Sequence, residues 1–513
     1  VAPERGSPLL LGIDVGTTNT KVVVYDPERG QVVAVAGRPT QTHHPRPEWS
    51  EFLADELWEG AAAAVREVVD AVGGPAAIQA VSVASMGEAG VPLDAQQRPL
   101  APLIAWYDLR TEPQAAWWRA TFDPFALYSI TGQIVEPKYS VNKLLWLREH
   151  RPEVFTATRR WLCVEDFILW KLSGEQAIDY SLASRTMLFD QRRLDWSDAL
   201  LAHAGLRRDL FPPALPSGTR IGRVTAEAAQ ATGLGTHTVV ATGGHDHLVG
   251  AFAAGAIRPG GILDSTGTAC TLLTVADRFE PQRPLFEAGF ETYAHVVAGT
   301  YIVLCGYIDA AGGAVEWLAR QLFGEHGYEA AFRAAEAAPL GAAGALWLPH
   351  LLGSGTPHND PSSRAALVGV RPEHGRGHLF RALLEGLAYW MQQNLDLAGE
   401  RLGLPADGEL LAIGGATRSP FWMQLKADVS GRPVHVPRIE EAVALGAALL
   451  AGLGSGLFPS AEAAAASLRA DSARYRPDSR ATAAYRRRYE LVYRRLYPAL
   501  REINATLEQL GGH

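Results

Sequence analysis

Asp246 stands in Thr242-Gly-Gly-His-Asp-His-Leu-Val-Gly250, directly after the apolar run Thr238 to Ala241. A strand that ends in two glycines exposes the next side chains at its carboxyl end, where α/β proteins bind ligands. A carboxylate in that place is a candidate general base for an acceptor hydroxyl, because phosphoryl transfer otherwise asks mainly for positioning and charge neutralisation. A His-x-His metal site competes for the same residues, although no further cluster suggests the remaining ligands. A turn that only caps a helix is the other alternative.

A second group is Asp14-Val-Gly-Thr-Thr-Asn-Thr-Lys21. Gly16 lets a turn backbone approach an anion, Thr17 and Thr18 add hydroxyl and N–H donors, and Lys21 adds charge. Asp14 cannot bind phosphate directly, but a carboxylate beside a phosphate loop is useful where a hydrated magnesium ion lies between them. The alternative is an ordinary hairpin. Gly267 and Thr268, after Asp264-Ser-Thr266, repeat the pattern, and two such turns facing each other grip a polyphosphate from both sides. Gly414 and Gly415, between the strand-like Leu411 to Ile413 and Ser419-Pro-Phe-Trp422, leave bare backbone for a base or ribose, with the small-residue helix Ala442 to Ala448 free to pack close to it.

These residues need elements to hold them. Leu9 to Ile13 and Lys21 to Tyr25 read as two strands of a hairpin, followed by strands at Gln31 to Ala36 and Ala77 to Val83 and a helix over Ala54 to Ala71. Strands and helices alternate, so the class is α/β. Residues 113–220 are punctuated by prolines and mainly helical, forming a cap on the first lobe. Gly261 to Val275 begins the second lobe as the first began, with strands at 301–305, 345–349, 409–413 and 434–436 and helices over 313–338, 376–403 and 440–453. The segment 457–513 reads as helical and charged, its Arg486 to Arg495 cluster a solvated surface. The boundary divides residues 8–256 from 257–513.

At 513 residues, with 47% hydrophobic and 20% charged residues, the chain suits two soluble domains. A net charge of -8 excludes a nucleic-acid footprint. Three widely spaced cysteines exclude a disulfide scaffold. The polar start lacks a signal peptide's apolar core and no run is long enough to span a membrane, so a cytoplasmic protein is expected.

In order and content these motifs resemble the FGGY carbohydrate kinases, from about Leu9 to Gly452. Ser419, Trp422, Gln424, Ala427-Asp428, Gly431, Pro437, Glu441 and Ala444-Leu-Gly-Ala447 fall where that family's C-terminal signature expects such residues. The resemblance implies two actin-like, ribonuclease H-like lobes around a central cleft, with ATP and Mg2+ held mainly by the second lobe and the sugar by the first. It implies that Asp14 organises magnesium, with Asp246 facing it, and that Thr17, Thr18 and Lys21 contact the transferred phosphate. Gly267 and Thr268 hold phosphates from the other lobe; Gly312, Gly414, Gly415 and Ser419 line the nucleotide site; Asp246 is the base. Glu88 and Trp106 read substrate hydroxyls.

The departures bear on the substrate. Glycerol kinases have Arg where this chain has Gly87, xylulose kinases present Met-His where it has Gly87-Glu88, and His247 follows the base in place of Asn or Gln. Lys138 occupies a position near the acceptor often filled by Tyr, Gly or Met; a cation there suits an aldonate, and an exposed lysine turned to solvent is the preferred reading. The expected reaction is ATP-dependent phosphorylation of a ketose, polyol or aldonate at a terminal hydroxyl, a five-carbon ketose first. Aldonate kinase is one alternative, and an actin-like scaffold or ATPase without sugar transfer another. The expected partner is a small carbohydrate, with no nucleic acid and no membrane, and a homodimer is compatible with this reading.

Overall fold

The computed structural model describes residues 8–267, 269–308, 311–469 and 471–511. Two twisted sheets organise them. The first, of six strands, runs in the order Arg220–Arg223, Val239–His245, Ile78–Ser85, Leu9–Val15, Asn19–Asp26, Gln31–Pro39. Leu9–Val15 pairs antiparallel with Asn19–Asp26 and parallel with Ile78–Ser85, which is in turn parallel to Val239–His245. Val15, Ser85 and His245 are in register, so three parallel strands end side by side. The residues just before and after those ends include Asp14, Glu88 and Asp246.

The second sheet has seven strands, in the order Glu291–Ala294, Tyr301–Ile308, Cys270–Ala276, Ile262–Thr266, Leu410–Ile413, Val434–Pro437, Ser472–Tyr475. It opens with the same move as the first, an antiparallel hairpin whose first strand runs parallel to its other neighbour. The helix Ala54–Ala71 covers one face of the first sheet with Leu57, Ala61, Ala64, Val65 and Val68, which the 3.6-residue period brings onto one side. Helical segments between 112 and 204 build the cap over the first lobe. No helix among the described residues is long and apolar enough to cross a membrane.

Three sequence expectations change. The stretch 313–338 is two helices, Ala311–Phe323 and Tyr328–Ala337, broken at Gly324 and Gly327. The C-terminal segment contains an edge strand, Ser472–Tyr475, whose pairing with Val434–Pro437 no local pattern announces. The small-residue helix, Ala442–Ser455, packs against the first sheet and the helix Asp246–Ala254. Its purpose is close approach: a Cβ on Gly12 would lie 1.8 Å from the Ala444 carbonyl oxygen, and one on Gly446 would lie 2.3 Å from that of Val249. Leu10, Ala80, Val249, Phe252, Leu263, Leu273, Leu445 and Leu449 all belong to the one apolar core that joins the lobes.

Candidate functional site

Asp246 is the first residue of the helix Asp246–Ala254. The strand before it shifts register between Ala241 and Gly244. Gly243 passes so close to its neighbour that a Cβ would lie 1.8 Å from the Val83 carbonyl oxygen. Buried acids and hydroxyls hold that bulge: Glu165 accepts the Gly243 N–H at 2.6 Å, and Ser181 accepts the His245 N–H at 2.8 Å. Asp246 Oδ1 lies 2.8 Å from His247 Nδ1 and 3.2 Å from His245 Nε2. Burial would raise this carboxyl, but His247 and then His245 outweigh it and hold Asp246 well below the usual carboxylate range. Asp246 in turn raises His247, while burial lowers His245 to about 4. The donor atoms of these three residues lie within 4.8 Å of one another.

Asp14 occupies the adjoining strand end. Its Oδ1 is sealed from solvent and has no hydrogen-bond partner among the described residues. Burial, then Asp246, then Glu441 push its carboxyl well above the ordinary value. A buried carboxylate surrounded by other carboxylates is what a cation relieves, so the donor set suits a hard divalent ion. Lys21 donates to Glu441 Oε1 at 2.8 Å, joining the first hairpin to the N-terminus of the helix Ala442–Ser455. Trp106 Nε1 donates to Thr17 Oγ1 at 3.1 Å, and Thr18 is exposed at the hairpin tip.

A cavity of about 530 Å³ lies in front of Asp246. It contains Thr17, Glu88, Trp106, Lys138, Asp246, His247 and Gly267, so the structure brings these sequence candidates together. Glu88 is buried in a left-handed conformation, φ 64°, which its carbonyl's two donors, Ser140 Oγ and Lys143 Nζ at 2.9 Å each, hold in place. Its carboxylate is ion-paired with Arg185.

Lys138 is not turned to solvent as the sequence suggested. Its side chain is only 20% exposed, paired with Glu136 and 3.7 Å from Glu291. Burial favours a neutral amine, yet Glu136 and Glu291 hold its pKa above the ordinary value. Glu291 comes from the edge of the second sheet and accepts from Ile134 N at 3.2 Å and from the Tyr139 and Tyr293 hydroxyls. This cavity is therefore walled by both lobes, where the sequence reading expected the sugar in the first.

A larger cavity, about 1120 Å³, is lined by Gly312, Gly415, Arg418, Ser419 and Tyr328. Gly414, at φ 92°, lets the chain turn where a Cβ would come 2.5 Å from the Thr266 carbonyl oxygen. Ser419 caps the helix Pro420–Ser430 by accepting the Trp422 N–H. Gly267 lines both cavities. Thr268 lies outside the described residues.

Sequence reading missed Arg185, Glu136 and Glu291. Arg185 stands in Ala183-Ser-Arg-Thr-Met-Leu188, and its charge in that mainly uncharged stretch was the available signal. Glu291 gave none, because only tertiary structure carries it to the first lobe.

Residues 9–253 match the N-terminal domain, and residues 264–455 the C-terminal domain, of the FGGY family of carbohydrate kinases. Xylulose kinase of Escherichia coli (strain K12) is 32% identical over 417 residues, 80% of this chain and 83% of that protein. Glycerol kinase of Bordetella parapertussis is 33% identical over 422 residues, 80% of this chain and 81% of that protein. The crystal structure of xylulose kinase from Rhodospirillum rubrum superposes with a TM-score of 0.89 at 31% identity, over 97% of this chain and all of that one.

Proposed function

The chain belongs to the FGGY family of carbohydrate kinases, and on that premise we propose that it phosphorylates a five-carbon ketose at a terminal hydroxyl, with Asp246 as the base. That it is an ATP-dependent sugar phosphotransferase of two actin-like lobes follows from the family. One observation carries the assignment of roles: Gly267 lines both cavities. A nucleotide in the larger cavity presents its terminal phosphate to an acceptor in the smaller one, beside Asp246.

Asp246 accepts the hydroxyl proton as the oxygen bonds to phosphorus, and His247 beside it favours its ionised carboxylate beforehand. Thr17, Thr18, Lys21 and Gly267 contact the transferred phosphate, and the family resemblance gives Thr268 the same role. Lys21, paired with Glu441 in this structure, would exchange that partner for the phosphate. Gly312, Gly414, Gly415 and Ser419 seat the nucleotide. Asp14 would hold magnesium, with Asp246 facing it; when bound, magnesium supplies charge neutralisation for the phosphates.

The acceptor is neutral. Glu88, Glu136, Glu291 and Asp246 face Lys138 and Arg185 in the cavity, and each of the two basic side chains is already matched by a carboxylate. An aldonate would have to displace one of those acids. Glycerol kinases carry Arg where this chain has Gly87, and that departure argues against glycerol. Similarity to xylulose kinases favours a pentulose. Following ADP release over a panel of ketoses, polyols and aldonates tests this. Pentuloses are expected to give the highest kcat/KM; aldonates outpacing every neutral sugar would reject the neutral acceptor, and ATP turnover indifferent to any sugar would reject the transferase role.

A further inference from the structure

Arg185 is the guanidinium of the acceptor cavity. It is buried, at 8% exposure, and three features fix it. Nη2 donates to Glu88 Oε1. The guanidinium carbon lies 4.6 Å from the Tyr293 ring centroid and 5.4 Å from that of Tyr139. Gly87 lies against it: a Cβ there would be in ordinary contact with Arg185 Cγ at 3.4 Å, and the missing side chain leaves space for His245, whose Cδ2 would lie 2.9 Å from that Cβ.

The pairing leaves both partners incomplete. Arg185 Nε is buried without an acceptor. Nη1 makes no hydrogen bond among the described residues, and neither does the second oxygen of Glu88. A guanidinium only donates and a carboxylate only accepts. Side by side on one wall, they complement a ligand edge on which an oxygen that accepts adjoins a hydroxyl that donates. A carbonyl oxygen meets the first requirement without a hydrogen of its own to leave unpaired. An α-hydroxyketone carries both groups on neighbouring carbons.

We propose that Arg185 is a specificity-determining residue that donates to the ketone oxygen of an open-chain pentulose, while Glu88 takes the adjacent hydroxyl. This rests on the pentulose kinase reading above and adds the group by which the cavity tells a ketose from the corresponding polyol. Positive charge is not what the acceptor meets, because Glu88 already neutralises Arg185. Direction of donation is.

Arg185→Lys keeps a cation for Glu88 but loses the planar fork, and Arg185→Met removes both. Steady-state kinetics are measured with a pentulose and with the pentitols made by reducing its C2 carbonyl. The wild type is expected to prefer the pentulose. Arg185→Lys should raise KM for the pentulose by about tenfold or more, leave kcat nearly unchanged and bring the pentulose-to-pentitol ratio of kcat/KM toward one, as loss of a hydrogen bond to a charged group implies. Proportional losses for both acceptors would mean that Arg185 serves only to hold Glu88, and would overturn the proposal while leaving the kinase reading intact. A wild type that prefers pentitols would sink the pentulose reading and the carbonyl contact with it. A second measurement needs no variant: the carbon-13 resonance of C2-labelled pentulose bound to the wild type should move downfield of the free open-chain ketone, and an unmoved signal rejects donation to that carbonyl.

Discussion

Each sheet begins with a hairpin whose first strand ends near an aspartate, and the two aspartates have opposite fates. Asp264 is 1% exposed, ion-paired with Lys426 and bonded to the Thr266 hydroxyl at 2.7 Å. Lys426 also donates to Thr266 Oγ1 at 2.7 Å, so the second hairpin closes on itself. Asp14 has no such ion pair among the described residues. Lys21, opposite it in the ladder, reaches away to Glu441, and Asp246 and Glu441 add to its burden. One pattern therefore yields a neutralised strut in the second lobe and, in the first, a carboxylate whose burial and acidic neighbours outweigh the help of His247 and Lys21. The lesson is that chemistry at such a turn is set by which cation the neighbouring elements bring, and the hairpin motif leaves that open.

The largest effect should come from removing the strut's partner. Lys426→Met leaves Asp264 buried and unpaired, which costs about 3–5 kcal/mol. The transition of the second lobe in thermal unfolding reads this loss, and the double variant Asp264→Asn/Lys426→Met should recover much of it. An unchanged melting profile in Lys426→Met would show that Asp264 is no strut.

The first lobe should respond in activity where the second responds in stability. Asp246→Asn is expected to cut turnover by ~10^2-fold or more while ATP binding is retained, as for loss of a positioned base. Asp14→Asn should also depress turnover and raise the magnesium concentration needed for half-maximal rate, with no loss of thermal stability, because it removes an unpaired charge. Near-normal turnover in Asp246→Asn would take the base role away from it.

The smallest expected effect is a linkage of cation and pH. Asp14's carboxyl is raised, so the folded chain keeps a proton that the unfolded chain releases near 3.8. Its stabilising contribution is complete below that value and disappears as pH rises through the folded-state pKa. A cation at the carboxylate compensates at neutral pH. Magnesium should therefore raise the melting temperature of the wild type at neutral pH more than that of Asp14→Asn; equal shifts would remove Asp14 as the ion's seat.

How much of this was legible depends on the range of the interactions. The helix Ala54–Ala71 was readable to the residue, because its apolar period is a local signal. The Gly243-Gly244 bulge was foreshadowed by its glycines, although what fills the space behind it, Glu165 and Ser181, was not. Lys138 was misread as solvent-facing because the acids that bury it include Glu291, far away in the chain. The edge strand Ser472–Tyr475 was hidden for the same reason, since its pairing partner and not its composition makes it a strand.

The sequence by itself determined the family and the two-lobed α/β plan, and it singled out Asp14, Glu88 and Asp246 among the acids, because these rest on residue types at fixed short spacings. Tertiary structure alone decided which acids are compensated. It placed Lys426 on Asp264, Arg185 on Glu88 and Lys138 between Glu136 and Glu291, and it left Asp14 Oδ1 without a hydrogen-bond partner among the described residues. The physical reason is that a charge in a buried site is governed by whatever lies within a few ångströms of it, and in this fold those neighbours arrive from strands and helices up to hundreds of residues away.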